Sequence, residues 1–254
     1  MAWNPQQYLK FGTERLRPGR DLLARVSLDT PTAIADLGCG SGTVTALIRA
    51  RWPRATLTGV DNSRAMLERA QAALPDVVFV NADIGGWQPS APLDLLVSNA
   101  ALHWLDDHGT LFPRLVSYLG SGGVLAVQMP AQHDGPSHRL GYELAESPAY
   151  RNRLVPRVRR RPILDAAAYY RMLRPLASNL DLWFTEYVHV LTGDDPIAEF
   201  TKGSLVGDWL AALPAEDAAA FEASYRERVR AAYPRQDDGT TLFPFRRFFL
   251  ILQR

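Results

Sequence analysis

Seven residues, Asp36-Leu37-Gly38-Cys39-Gly40-Ser41-Gly42, restrict this chain more than any others. They close a short apolar run, Ala33 to Leu37, and precede a segment whose apolar members Val44, Leu47 and Ile48 recur at helical spacing. A strand that turns over alternate glycines into a helix uses backbone conformations that side chains disfavour, and the missing Cβ atoms let a ligand come close. The helix start behind the turn offers N–H groups with no partner inside the helix. The spacing is Gly-x-Gly-x-Gly, because the next residue is Thr43, so the dinucleotide fingerprint Gly-x-Gly-x-x-Gly is not met. No Gly-Lys-Ser or Gly-Lys-Thr follows, which excludes a P-loop.

The same alternation continues down the first half. Thr56 to Val60, Val77 to Val80, Leu95 to Ser98 and Val124 to Met129 read as buried parallel strands, being short, apolar and bounded by turn residues. Between them Met66, Leu67, Ala70 and Leu74 mark a helix that Asn62 or Ser63 would cap. Leu111, Leu115 and Leu119 mark another, which opens after Asp106-Asp107 and is expected to stop at Gly122-Gly123. Strands joined by helices at this spacing imply right-handed crossovers and a sheet covered on both faces. Ligands of such sheets bind beyond the carboxyl ends of the strands, so the tips to watch are Asp36, Asp61, Asp83 and Asn99.

After Met129 the pattern loosens. Two late strands, Asp181 to Leu191 and Leu242 to Leu252, flank a helical stretch from about Pro196 to Tyr233 that breaks at Pro214-Ala215. The expectation is a single α/β domain over 1–254: a Rossmann-like seven-stranded, mostly parallel sheet with a reversed edge hairpin, plus a helical cap from two inserts. The core is expected over about 30–130, 180–192 and 241–254, and the cap over about 131–178 and 193–238.

Composition bounds the function. An apolar fraction of 47% and a charged fraction of 22% are those of an ordinary globular protein. The sole cysteine, Cys39, excludes an intrachain disulfide and a Cys-rich zinc site. A net charge of +1 gives no global drive toward nucleic acid or anionic membrane. The first residues lack a signal peptide's apolar core, and no apolar run approaches the ~20 residues that cross a bilayer. The expected setting is the cytoplasm, with no metal, no nucleic acid, no membrane, and a monomer or weak dimer.

A carboxylate at Asp61, 19 positions after Gly42, can accept from both hydroxyls of a ribose. Asp83 after the third strand can take an adenine amino group while Ile84 packs on the ring. Each piece alone is weak, since an Asp after a strand is commonly an N-cap. On successive tips of one sheet they are specific.

With these residues in place, Ile34 to Pro130 resembles the class I S-adenosylmethionine-dependent methyltransferases. The resemblance implies S-adenosylmethionine as cofactor, with Asp36, Gly38, Gly40 and Gly42 around its methionine part. It further implies Asp61 on the ribose, Asp83 and Ile84 on adenine and Asn99 near the sulfonium, with Asn62 and Trp104 also among the cofactor-binding residues. Trp3, Tyr8, Phe11 and Arg17 look like an N-terminal lid over it, where aromatics beside a sulfonium have a cation–π rationale. Within that class the chain is similar to the trans-aconitate methyltransferase family, through Trp3-Asn4-Pro5 with Tyr8, Arg17-Pro18, Ala73-Leu74-Pro75-Asp76, Leu102-His103-Trp104-Leu105 and Leu125 to Pro130. That family carries Gln where His103 stands and Pro where Ser41 stands. The similarity thins between about Gln132 and Asp165 and after Gly193, where the acceptor-holding residues should lie.

A carboxylate acceptor is ionised at neutral pH and needs no base, so the lack of an obvious general base fits carboxyl methylation. A tricarboxylate demands cations, and Arg suits carboxylate because its planar fork bonds both oxygens. Residues 151–174 hold eight arginines (Arg151, Arg153, Arg157, Arg159, Arg160, Arg161, Arg171 and Arg174) against Asp165 alone, a local charge of +7. Such a run is commonly just a solvated surface. Of its members Arg159, Arg160, Arg161 and Arg171, together with His103 after the fourth strand, are the catalytic-site candidates. Lys202, Trp209 and His133 are weaker ones. The alternatives are another small carboxylic acid or a quinone-type acceptor, a nucleic-acid methyltransferase, and a module that binds the cofactor without turnover. Against nucleic acid, the fourth strand ends Ser98-Asn99-Ala100-Ala101, not in the Asn-Pro-Pro-Tyr used on flipped bases.

Overall fold

A computed structural model describes residues 12–158 and 163–254. Helix α1 (Gly12–Ala24) leads into β1 (Ala33–Leu37), α2 (Thr43–Arg51), β2 (Thr56–Asp61), α3 (Arg64–Ala73), β3 (Val78–Asn81) and β4 (Leu93–Asn99). Then come α4 (His108–Ser117), β5 (Leu119–Pro130), α5 (Pro136–Ala145), α6 (Ala166–Leu173), β6 (Asn179–Leu191), α7 (Pro196–Thr201), α8 (Ala215–Ala232) and β7 (Thr241–Gln253), with single helical turns between some of them.

The strands form one seven-stranded sheet in the order β3-β2-β1-β4-β5-β7-β6. β1 to β5 run parallel and β7 runs antiparallel to β5, which is the reversed strand of the expected edge hairpin. Parallel strands need apolar residues on both faces, and β1 and β4 comply: Ile34, Ala35, Leu37, Leu95, Leu96 and Val97 are all buried. Each fully buried Leu or Ile contributes roughly 1.5–3 kcal/mol. The amphipathic helices bury their expected stripes, with Met66, Leu67 and Ala70 on α3 and Leu111, Phe112 and Leu115 on α4. Ser63 and Asp107 are the N-caps, and the Asp107 carboxylate accepts from the Thr110 N–H.

Leu119 and Gly122-Gly123 depart from expectation. α4 stops at Ser117, and Leu119 opens β5 opposite Leu93. The glycines lie inside β5, where the register against β4 shifts. Gly122 sits at φ +74°, and a Cβ on Gly123 would come within 2.8 Å of the Leu93 carbonyl oxygen. They therefore shape a strand irregularity instead of ending a helix.

The described residues fall into two compact units. One comprises 15–130, 163–185 and 247–254; here Tyr169 of α6 stacks on Phe248 at 4.9 Å and Trp183 on Phe249 at 4.8 Å. The other is built from 12–14, 131–158 and 186–246, with an aromatic core that includes Tyr142, Trp209, Phe221, Tyr225 and Phe243. Three of its buried hydroxyls are tied to one another and to the backbone: Tyr225 OH donates to the Ser137 carbonyl at 2.9 Å and meets Thr201 Oγ1 at 2.9 Å. The Ser137 N–H in turn donates to Tyr233 OH at 3.1 Å. No helix among the described residues is long and apolar enough to cross a membrane.

Candidate functional site

The glycine turn is fixed from both ends. Gly38 and Cys39 N–H groups donate to the Val60 carbonyl at 2.8 and 3.1 Å, which ties the turn to the end of β2. Gly38, Gly40 and Gly42 have φ of +72°, +54° and +81°, so all three occupy the left-handed region that favours glycine. A Cβ on Gly38 would lie 2.1 Å from the Ala101 Cβ and 3.3 Å from Ile84 Cδ1. Gly42 is the N-cap of α2 and offers no side-chain cap, so no side chain of that residue covers the helix's first N–H groups.

Asp61 closes the turn. Its Oδ2 accepts from the Gly40 N–H at 2.9 Å and its Oδ1 from the Ser63 N–H at 2.8 Å. Each oxygen keeps a lone pair for a hydroxyl donor. Asn62, beside it, is exposed. Asp36 is buried beneath the turn, where Thr45 Oγ1 donates to Oδ2 at 2.6 Å. Burial pushes this carboxyl up to about 7; the Thr45 hydroxyl opposes the rise and the Asp61 charge adds to it. Burial also pushes the Cys39 thiol up, which leaves no reactive thiolate there.

Asp83 is exposed after β3, and its Oδ1 accepts from the Gly85 N–H at 3.0 Å, while Ile84 is partly buried. Asn99 ends β4 with Oδ1 buried and without a hydrogen-bond partner. It lies against α1, since a Cβ on Gly19 would be 3.6 Å from Asn99 Cγ. Ala100 follows at φ +55°, a conformation that costs a non-glycine residue of order 1 kcal/mol. His103 and Trp104 lie on the 3₁₀ turn Leu102–Trp104 with ring centroids 4.8 Å apart, and the Trp104 side chain is 46% exposed.

The structure thus brings Asp36, the three glycines, Asp61, Asn62, Asp83, Ile84, Asn99, His103 and Trp104 to the carboxyl ends of β1 to β4, within one unit. Arg17 is on α1 and Arg171 is exposed on α6, both in that unit. Trp3, Tyr8, Phe11, Arg159, Arg160 and Arg161 lie outside the described residues. In the other unit Arg153 pairs with Asp217, and Lys202 pairs with Glu222 at 2.9 and 3.1 Å. Trp209, 3% exposed, packs between Tyr142 and Phe221 in the aromatic core. His133 is half-buried, and burial lowers its pKa.

Sequence reasoning missed four participants. Asn81 Nδ2 donates to the Asp61 carbonyl at 3.1 Å, joining the β3 and β2 tips. Thr45 holds Asp36. His108 Nε2 bonds the Leu102 carbonyl at 3.0 Å, which anchors the turn carrying His103. Gln128, a fully buried amide in β5, was visible as the one polar residue in the apolar run Val124 to Met129. The other three carry no local signal, because their partners are set by folding.

Comparison with known proteins agrees with this arrangement. A family model described as a methyltransferase domain matches residues 34–123. A trans-aconitate 2-methyltransferase of Azoarcus sp. (strain BH72) is 46% identical over 100% of this chain and 99% of its own length. One of Acidovorax sp. (strain JS42) is 44% identical over 99% and 98%. Among solved structures, the YcgJ protein of Bacillus subtilis matches with a TM-score of 0.60 at 13% identity, over 94% of this chain and 98% of that one, a likeness of fold.

Proposed function

The chain belongs to the trans-aconitate 2-methyltransferase family, and on that premise we propose that it methylates one carboxylate of trans-aconitate from S-adenosylmethionine, giving a monomethyl ester. The observation that carries the cofactor half is the Asp61 carboxylate, locked by two backbone N–H groups beside three left-handed glycines at the strand ends. The residues fit the cofactor by two further tests. Gly38, Gly40 and Gly42 all hold positive φ and so let the turn keep its backbone open toward a ligand, and Asn99 Oδ1 is a buried acceptor left without a partner. Asp61 and Asn62 would hold the ribose hydroxyls, Asp83 and Ile84 the adenine, and Asp36 with the glycine turn the methionine part. Asn99 and Trp104 would face the sulfonium, with Trp3, Tyr8 and Arg17 closing over it.

When bound, S-adenosylmethionine supplies a methyl group already activated on a sulfonium. The chain's own task is orientation and exclusion of water, because an ionised carboxylate needs no proton removed. His103 is assigned to the reacting carboxyl as a hydrogen-bonding group. Arg159, Arg160, Arg161 and Arg171 are assigned to the acceptor's remaining carboxylates, whose charge they would match.

Transfer of labelled methyl from S-adenosylmethionine tests this reading, with trans-aconitate, cis-aconitate, citrate and isocitrate in parallel. Turnover of trans-aconitate into a base-labile product is the expected result. Cofactor binding without transfer to any of the acids would overturn the acceptor assignment and leave the cofactor assignment standing.

A further inference from the structure

Gln128 is 0% exposed, and neither its Nε2 nor its Oε1 has a hydrogen-bond partner. A buried amide in that state costs the protein on the order of 1–3 kcal/mol for each unmet group, so its presence in an otherwise apolar strand calls for a reason. Its position supplies one. Gln128 lies opposite Asn99 in the parallel β4–β5 ladder and opposite Phe249 in the antiparallel β5–β7 ladder. Residues directly opposite one another share a face of the sheet. Asp36 is on that face too, because it pairs with Val97, two residues before Asn99. Beyond Gln128, toward the carboxyl end of β5, Arg247 pairs with Pro130 and so brings a guanidinium, 4% exposed, onto the same face. The row running from Asp36 past Asn99 to Gln128 and Arg247 therefore leads from the cofactor residues to the next strand ends, and its charge turns positive on the way.

We infer that Gln128, with Arg247 beside it, is part of the carboxylate-binding floor of the acceptor site, its Nε2–H donating to a carboxylate oxygen of the acid. This rests on the reading of the chain as a methyltransferase of a small polycarboxylate. An amide suits the place better than a charged group. Its donor end favours the anionic acceptor and its acceptor end favours the cationic sulfonium, so one neutral side chain offers opposite poles to substrates of opposite charge.

Gln128→Met tests this in the full-length protein, being similar in length and apolar. Ligand-free Tm, KM for trans-aconitate, kcat, and the Kd of S-adenosylhomocysteine are measured for both proteins. Removing an amide with no partner is expected to raise Tm by about 2 °C or more. Losing one charge-assisted hydrogen bond is expected to raise KM about 10- to 100-fold, with the Kd of S-adenosylhomocysteine within about twofold of the original. Gln128→Glu, which sets a carboxylate against a carboxylate, should raise KM further. A lower Tm with unchanged KM would overturn the inference, because Gln128 would then be satisfied by buried water and serve the fold alone. Turnover by the unmodified protein with unchanged KM in both variants overturns the inference and spares the function. No turnover by the unmodified protein overturns both.

Discussion

Burial discourages the Asp36 charge, and the proposed place of Asp36 at the cofactor's methionine part makes that tension measurable. Its carboxyl lies at about 7, against 3.8 for an ordinary Asp, chiefly through burial. For an acid raised in the folded state, the unfolded chain ionises first as pH climbs. Stability therefore falls between about pH 4 and pH 7 and levels off above. Asp36→Asn should flatten that slope in urea titrations across the range. A cationic amino group beside the carboxylate reverses the preference, so cofactor affinity should weaken as pH drops from 8 to 6, by up to about tenfold per unit below the pKa. In Asp36→Asn the pH dependence of Kd should vanish; if it persists, another group titrates. The glycines make a second test at the same scale. Gly122 has φ +74° with nothing within 4 Å of an added Cβ, whereas Gly38 has φ +72° and Ala101 at 2.1 Å. Gly122→Ala should cost about 1 kcal/mol, the strain alone. Gly38→Ala should cost several-fold more and abolish cofactor binding, as read by denaturation and calorimetry.

Elements meet at the β4 tip through one histidine. The Leu102 carbonyl can only accept, so His108 carries its proton on Nε2 and presents Nδ1 as an acceptor to Tyr169 OH at 2.6 Å. One ring thus joins α4, α6 and the turn that bears His103 and Trp104. Tyr169→Phe would leave Nδ1 buried without a donor and should cost about 1–3 kcal/mol. The expected readout is a lower Tm together with a change in Trp104 fluorescence; an unchanged spectrum would separate α6 from the turn. None of this was readable in sequence, because His108 and Tyr169 are 61 positions apart and neither position follows a pattern. The parallel strands were readable because burial on both faces writes itself as a continuous apolar run. β5 was readable only in its second half. Its first residues, Leu119 to Gly123, imitate a helix end with a glycine stop, and the register shift against Leu93 that explains them is a property of the pair of strands.

Charge is distributed at the scale of the whole chain, and it is the one feature proposed for the acceptor that sequence displays plainly. The residues proposed for the cofactor stand out because each follows a strand and backbone geometry fixes the spacing. The residues proposed for the acceptor follow no such period, and only the density of arginine singles them out. Residues 151–174 carry +7 in a chain of net +1, so the remainder carries −6. Some of that excess is already engaged: Arg153 pairs with Asp217, and Arg174 donates to the Ala177 carbonyl at 2.6 Å. Exposed pairs of this kind contribute little to stability, but the net field survives, because pairing one arginine removes only one of the seven charges. An acceptor with three carboxylates feels that field as a multiple charge, while S-adenosylmethionine, with a net charge near +1, does not gain from it. Screening lengths shrink from about 10 Å at 0.1 M salt to about 3 Å at 1 M. KM for trans-aconitate should therefore climb steeply with added sodium chloride while the cofactor Kd stays nearly level. Replacing Arg159, Arg160 and Arg161 together by Gln should raise KM at low salt and flatten its salt dependence. An unaltered salt slope in that variant would make the run a solvated surface and return the acceptor's charge recognition to Arg171 and Arg247.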